Sequence, residues 1–146
     1  MTQIAYGTSP AGAVPALDTI TPYVATVGRL LLAAIFLISG FGKLTAASGT
    51  IGYIAQAGLP MPTLAYAVAL LVELGGGVLL VVGYQARLVA AAMAVFSLAT
   101  AFAFHGNFAD QNQMIHFLKN IAIAGGLLQV VAFGAGSFSV DAKARA

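Results

Sequence analysis

Residues Leu64 to Gly83 read LAYAVALLVELGGGVLLVVG, twenty residues with one charge, Glu73, at the centre. At about 1.5 Å of rise per residue, a helix of this length covers the roughly 30 Å hydrocarbon core of a bilayer, so the stretch predicts a transmembrane helix. A carboxylate at mid-membrane costs about 3 kcal/mol on an insertion scale, and each Leu or Val returns about 0.3 to 0.6 kcal/mol. With eleven Leu and Val residues the helix still inserts, and the acid then requires a partner or a wet cavity inside protein. At helical spacing Glu73 shares a face with Tyr66, Ala69, Gly76, Gly77 and Leu80. Small residues beside a polar one let a second backbone approach while the acid finds a donor. This face is therefore expected to meet protein, not lipid.

The whole chain has the same character. Of its 146 residues 60% are hydrophobic and 7% charged, against about 25% charged in soluble globular proteins. So few charges cannot cover a water-facing surface, and one integral membrane domain is expected. The net charge of +2 is scattered along the chain, which argues against nucleic-acid binding. There is no cysteine, which excludes disulfides, thiol redox chemistry and cysteine-ligated iron–sulfur or zinc centres. The first residues have no positive segment ahead of an apolar core and do not read as a signal peptide.

Three further spans flank the central one. Tyr23 to Leu44 forms the first helix, with Pro22 in its first turn, Arg29 two turns in and Lys43 near its end. Leu88 to Phe104 is uncharged, and a fourth helix is expected from near Met114 to Phe133, where GAGSFSVD breaks it. Thr50 to Ala57 suits a short amphipathic surface helix, stopped by Gly58 and the LPMP turn. The expected layout is a loose tail over 1–21, a transmembrane domain over 22–140 and a polar tail over 141–146. Short second and third links favour an all-α, up-down-up-down four-helix bundle. Arg29, Arg87, Lys143 and Arg145 fall on the side of the termini, against Lys43 and Lys119 on the other. Four against two predicts cytoplasmic termini.

The polar groups inside these spans are the candidates for chemistry. Arg29, Phe36 and Lys43 are seven apart, with Ser39 and Gly40 between the last two, and form one stripe. Lys43 is either a snorkelling anchor or part of an internal cluster. Counted from the helix ends, Arg29 and Glu73 differ in depth by only about 4 Å, so Glu73 is expected to pair with Arg29, with Lys119 as runner-up. Side-chain direction opposes that pairing, because each side chain leans toward its own helix N-terminus. His105 and His116 flank a loop that also holds Asp110, and Lys119 and Asn120 follow one turn later. Two histidines without a cysteine or a second acid cluster do not make a metal site, and no metal is expected. Arg29, Lys43, Glu73, His105, His116, Lys119 and Asn120 thus form a candidate polar cluster, which serves either as a folding staple or as a ligand site. No nucleophile–base pair, phosphate loop or paired acids occur, so no catalytic residue is assigned.

In order, the phrases RLLLAAIFLISGFGKL, AGLPMP, VELGGGVLLVVGYQARLVAA, AFAFH, HFLKNIAIAGGLLQV and GAGSFSVD resemble the DoxX family of small bacterial membrane proteins, over roughly Gly28 to Asp141. The resemblance implies a four-helix bundle in the bacterial inner membrane and links the chain to quinol-oxidase and thiosulfate:quinone oxidoreductase subunits. It does not assign roles to the matching Arg29, Lys43, Glu73, His105, Lys119 and Asn120. A membrane subunit of an oxidoreductase system is the first expectation, with no covalent cofactor, a quinone as candidate ligand, and a second copy or a redox protein as partner. A non-catalytic scaffold is the alternative. A small-molecule or proton transporter is disfavoured by four short helices without internal repeats.

Overall fold

The computed structural model describes residues 15–144, with side chains described from residue 19. Among these residues the chain is helical, without strands. Helix α1 is Pro15–Thr45 and α2 is Ala47–Gln56. The second span begins as α3, Pro62–Leu70, passes through a π-helical turn at Leu71–Gly76 and ends as α4, Gly77–Val82. Helices α5, Ala86–Phe104, and α6, Gln111–Phe133, follow, and a short α7, Val140–Lys143, closes the described chain. Four helical stretches are long and apolar enough to cross a membrane: Thr19–Thr45, Pro62–Val82, Ala86–Phe104 and Gln111–Phe133.

The boundaries differ from expectation at both ends. The tail expected over 1–21 is helical from Pro15 onward, its residues 1–14 lying outside the described ones, and Pro22 sits inside α1. A proline there removes one backbone hydrogen bond, and the helix continues through it. Helix α6 starts earlier than Met114 because Asp110 caps it, its carboxylate accepting from Asn112 N at 2.8 Å and Gln113 N at 3.4 Å. At the other end Asp141 is not part of a tail. It is tied to the link between the second and third spans by Asp141 N donating to Gly83 O at 3.0 Å.

Close approaches between helices fix the register. A Cβ at Gly77 would meet Leu37, and one at Gly40 would meet Leu74 and Glu73. Rising numbers on the second span thus face falling numbers on α1, as an antiparallel pair requires. Helix α5 runs back along α6, Gly76 lies against Met93, and Gly126 lies against Leu32. The core is small and tight: Ala33, Phe36, Leu80, Ala90, Met93 and Leu127 are buried. The outside is greasy. Leu31, Ile38, Leu71, Leu88, Val95 and Phe102 are each about two-thirds exposed or more, which suits lipid and not water. This is an all-α, integral-membrane four-helix bundle.

Candidate functional site

The half of the bundle away from the termini holds a partly open cavity of about 650 Å³. Its inner end reaches Phe36, Ser39, Glu73 and Ser97 near mid-bundle, and its outer end reaches α2 and the Gly58–Met61 corner. That corner is built by two residues with positive φ, Gly58 at 78° and Met61 at 55°, and by Pro62 opening α3. The turn places Leu59, Pro60 and Met61 on the cavity wall, beside Tyr53 and Ile54 of α2. The amphipathic helix expected at Thr50 to Ala57 is therefore the segment that covers the cavity.

At the inner end Glu73 pairs with Lys43. Lys43 Nζ lies 2.8 Å from Glu73 Oε1 and donates to Ser39 Oγ at 2.7 Å, and Ser39 Oγ donates to Glu73 Oε1 at 3.2 Å. Tyr66 OH donates to Lys43 O at 3.2 Å, tying α3 to the end of α1. The Glu73 side chain is 6% exposed and that of Lys43 28%, so this is an internal pair and Lys43 is not an outward-snorkelling anchor. Glu73 Oε2 is buried with no hydrogen-bond partner. The carboxylate sits within the π turn, a helix form that accompanies functional positions.

The pairing of Glu73 with Arg29 expected from depth does not occur, and direction is the reason. A helical side chain leans toward its own N-terminus. Lys43, near the end of α1, leans back into the bundle, and Glu73 leans toward Pro62, so the two converge. Arg29 leans away, toward the termini. It is buried, with Nη1 donating to Leu80 O at 3.0 Å and Nη2 to Phe138 O at 2.8 Å. At the end of α4, Gly83 N and Tyr84 N both donate to Leu79 O, which leaves Leu80 O to Arg29. The guanidinium is thus a cap for the second span and also favours the negative end of its dipole. Arg29 stands apart from the cavity.

The other candidates meet at the cavity. His105, His116, Lys119 and Asn120 line it together with Lys43 and Glu73. The rings of His105 and His116 stack with centroids 5.1 Å apart, and His105 Nδ1 lies 2.7 Å from Gln113 Oε1. With the amide oxygen as acceptor, Nδ1 carries the proton. Asn120 Nδ2 donates to His116 O at 3.2 Å. Among the described residues Lys119 makes no hydrogen bond or ion pair, and no group of three His, Cys, Asp or Glu is placed to hold a metal ion. Asp110, between the histidines in sequence, is taken up by capping α6. Three contributors escaped the sequence reading as site residues. Ser39 precedes Lys43 by one helical turn, a spacing that gives it away in retrospect, whereas Tyr53 and Ser97 carry no local signal.

Residues 24–106, from the first span to just beyond His105, match the DoxX family model. The chain belongs to the DoxX family. It is 38% identical over 115 residues to inner membrane protein YqjF of Escherichia coli K12, covering 79% of this chain and 87% of YqjF. It is also 34% identical over 128 residues to inner membrane protein YphA of the same organism, covering 84% of this chain and 91% of YphA. No solved structure matches it. The DoxX match takes in Arg29, Lys43, Glu73 and His105, while His116, Lys119 and Asn120 come from α6 beyond it.

Proposed function

We propose that this DoxX-family membrane protein is a subunit of a quinone-linked oxidoreductase system, and that its cavity takes the quinone ring. The observation that carries the reading is the cavity itself, whose largely apolar wall meets a few polar groups from all four spans. A volume of about 650 Å³ lies within the roughly 300 to 1,000 Å³ of small-molecule sites, and apolar walls with a few placed polar groups are their usual composition. Lys119, Asn120 and the histidines supply donors for ring oxygens, and Phe36, Phe96 and Phe104 supply faces and edges for the ring. A bound quinone would supply electron and proton carriage. This chain's residues hold and orient the ring, and the electrons come from a partner protein. By analogy with its relatives the chain sits in the bacterial inner membrane, with both termini cytoplasmic by the cation count.

The test is extraction of lipophilic molecules from protein purified in mild detergent, compared with an Ala65→Phe variant that fills the cavity. A quinone held near one per chain and lost in the filled variant is expected. Protein that carries no quinone and binds no added short-chain quinone would leave the polar cluster as a folding staple in a scaffold subunit.

A further inference from the structure

The chain's four acids are Asp18, Glu73, Asp110 and Asp141. Asp110 caps α6, and Asp141 caps α5 by accepting from Gln85 N and Ala86 N. Asp18 lies in the first turn of α1, at the end of the bundle opposite the cavity. Among the four, Glu73 alone lines the cavity, and Lys43 and Ser39 already occupy its Oε1 while Oε2 is buried. Lys119 is the cation left over. It is exposed, lines the same cavity, and among the described residues makes no hydrogen bond or ion pair. It stands about 12 Å along α6 from Gln111 and leans back toward the outer end, beside His116. An ionised side chain within a span pairs with an opposite charge or a carbonyl, or marks a ligand path. Every acid of this chain is placed elsewhere, so the counter-ion of Lys119 comes from outside it. We infer that the cavity takes its quinone as an anion: a hydroxyquinone, ionised at neutral pH, with Lys119 facing the charged oxygen. This rests on the quinone reading above and adds the charge of the ring that the site prefers.

A plain quinone offers Lys119 only neutral carbonyl acceptors, which leave its charge uncompensated in a largely apolar space. A hydroxyquinone is a vinylogous carboxylic acid, and its anion spreads the charge over two ring oxygens. Those oxygens meet the ammonium at the outer end, and the apolar side of the ring lies inward toward Phe36 and Phe96. The inner end does not repel the anion, because Lys43 Nζ stands 2.8 Å from Glu73 Oε1 and cancels that charge. His105 and His116 add ring nitrogens to the wall and no negative charge. With both histidines neutral, Lys43, Glu73 and Lys119 leave the lining one net positive charge. A monoanion is the ligand that fits.

The test uses the full chain in phosphatidylcholine nanodiscs at neutral pH, titrated calorimetrically against empty nanodiscs as the blank. The three ligands are naphthoquinone hydroxylated on its quinone ring, the methyl ether of that compound, and plain naphthoquinone. The hydroxyquinone is expected to bind at least about tenfold more tightly than either neutral ring, as one hydrogen bond between charged groups implies. The ether keeps the ring and its oxygens but cannot ionise, so this comparison needs no substitution. Lys119→Met removes a charge without stranding a partner, so the fold is expected to hold while the preference is erased. Lys119→Arg is expected to keep it. Equal affinities for ionised and neutral rings in the unaltered protein, or a preference that survives Lys119→Met, would overturn the charge assignment. The quinone site would then stand, with Lys119 an anchor that reaches the headgroups. Binding of none of the three ligands would overturn the quinone reading itself.

Discussion

The Lys43–Glu73 pair is asymmetric, and the asymmetry has a measurable consequence. Lys43 is 28% exposed and ends a long flexible stem, while Glu73 is 6% exposed and has nowhere to go. Removing the lysine leaves a buried carboxylate unpaired, whereas removing the acid frees an ammonium to move outward. Lys43→Met is therefore expected to cost about 3 kcal/mol or more and Glu73→Gln clearly less, with the double variant recovering much of the larger loss. Unfolding in detergent micelles measures all three. Arg29→Met belongs to a separate network through Leu80 O and Phe138 O, so its cost is expected to add to that of Glu73→Gln within about 0.5 kcal/mol. The sequence shows that Glu73 requires a partner, because a lone charge among Leu and Val allows nothing else. It does not show which partner. Depth along the helix favours Arg29, and the lean of the side chains decides for Lys43.

Among the elements, the four spans are legible because length and apolar content alone determine them, and they lie within a few residues of their expected limits. The irregular pieces are not legible, because each depends on a partner distant in sequence. The π turn, Leu71–Gly76, surrounds Glu73, whereas small residues at helical spacing point only to close packing. The start of α5 is capped from the far end of the chain: Asp141 Oδ1 and Oδ2 accept from Gln85 N and Ala86 N at 2.8 Å each. Gln85, the N-cap residue, makes no side-chain cap of its own. Asp141→Ala is expected to lower stability by about 1 to 2 kcal/mol, as loss of a cap does, with the melting temperature as the measure. Gly83 closes α4 with φ of 68°, and a Cβ there would run into the Arg29 guanidinium and Ser139. Gly83→Ala is expected to cost more than about 1 kcal/mol, while Gly28→Ala, mid-helix with open space around it, is expected to gain up to about 1 kcal/mol.

At the scale of the molecule the two ends of the bundle have separate tasks. The end near the termini is a clasp, with Arg29, Gly83 and Asp141 holding the last described residues against the second span. The opposite end is a cavity roofed by α2. If the termini are cytoplasmic the cavity lies in the outer half of the bilayer, which single cysteines at Thr2 and Asn107 can test in a chain that has none. An impermeant thiol reagent applied to intact cells is expected to label position 107 and spare position 2. Six of the seven polar candidates converge on the cavity. The sequence groups all seven as one candidate cluster but does not show that Arg29 stands outside it, because who meets whom is decided only when α5 and α6 close against α1. Photolabelling of native membranes with an azidoquinone asks directly whether that space receives a quinone. The expected result is saturable labelling, competed by unlabelled ligand, on cavity residues such as Tyr53, Met61 and Phe104. Labelling that does not saturate and falls on lipid-facing residues such as Leu31, Ile38 and Leu88 would contradict it.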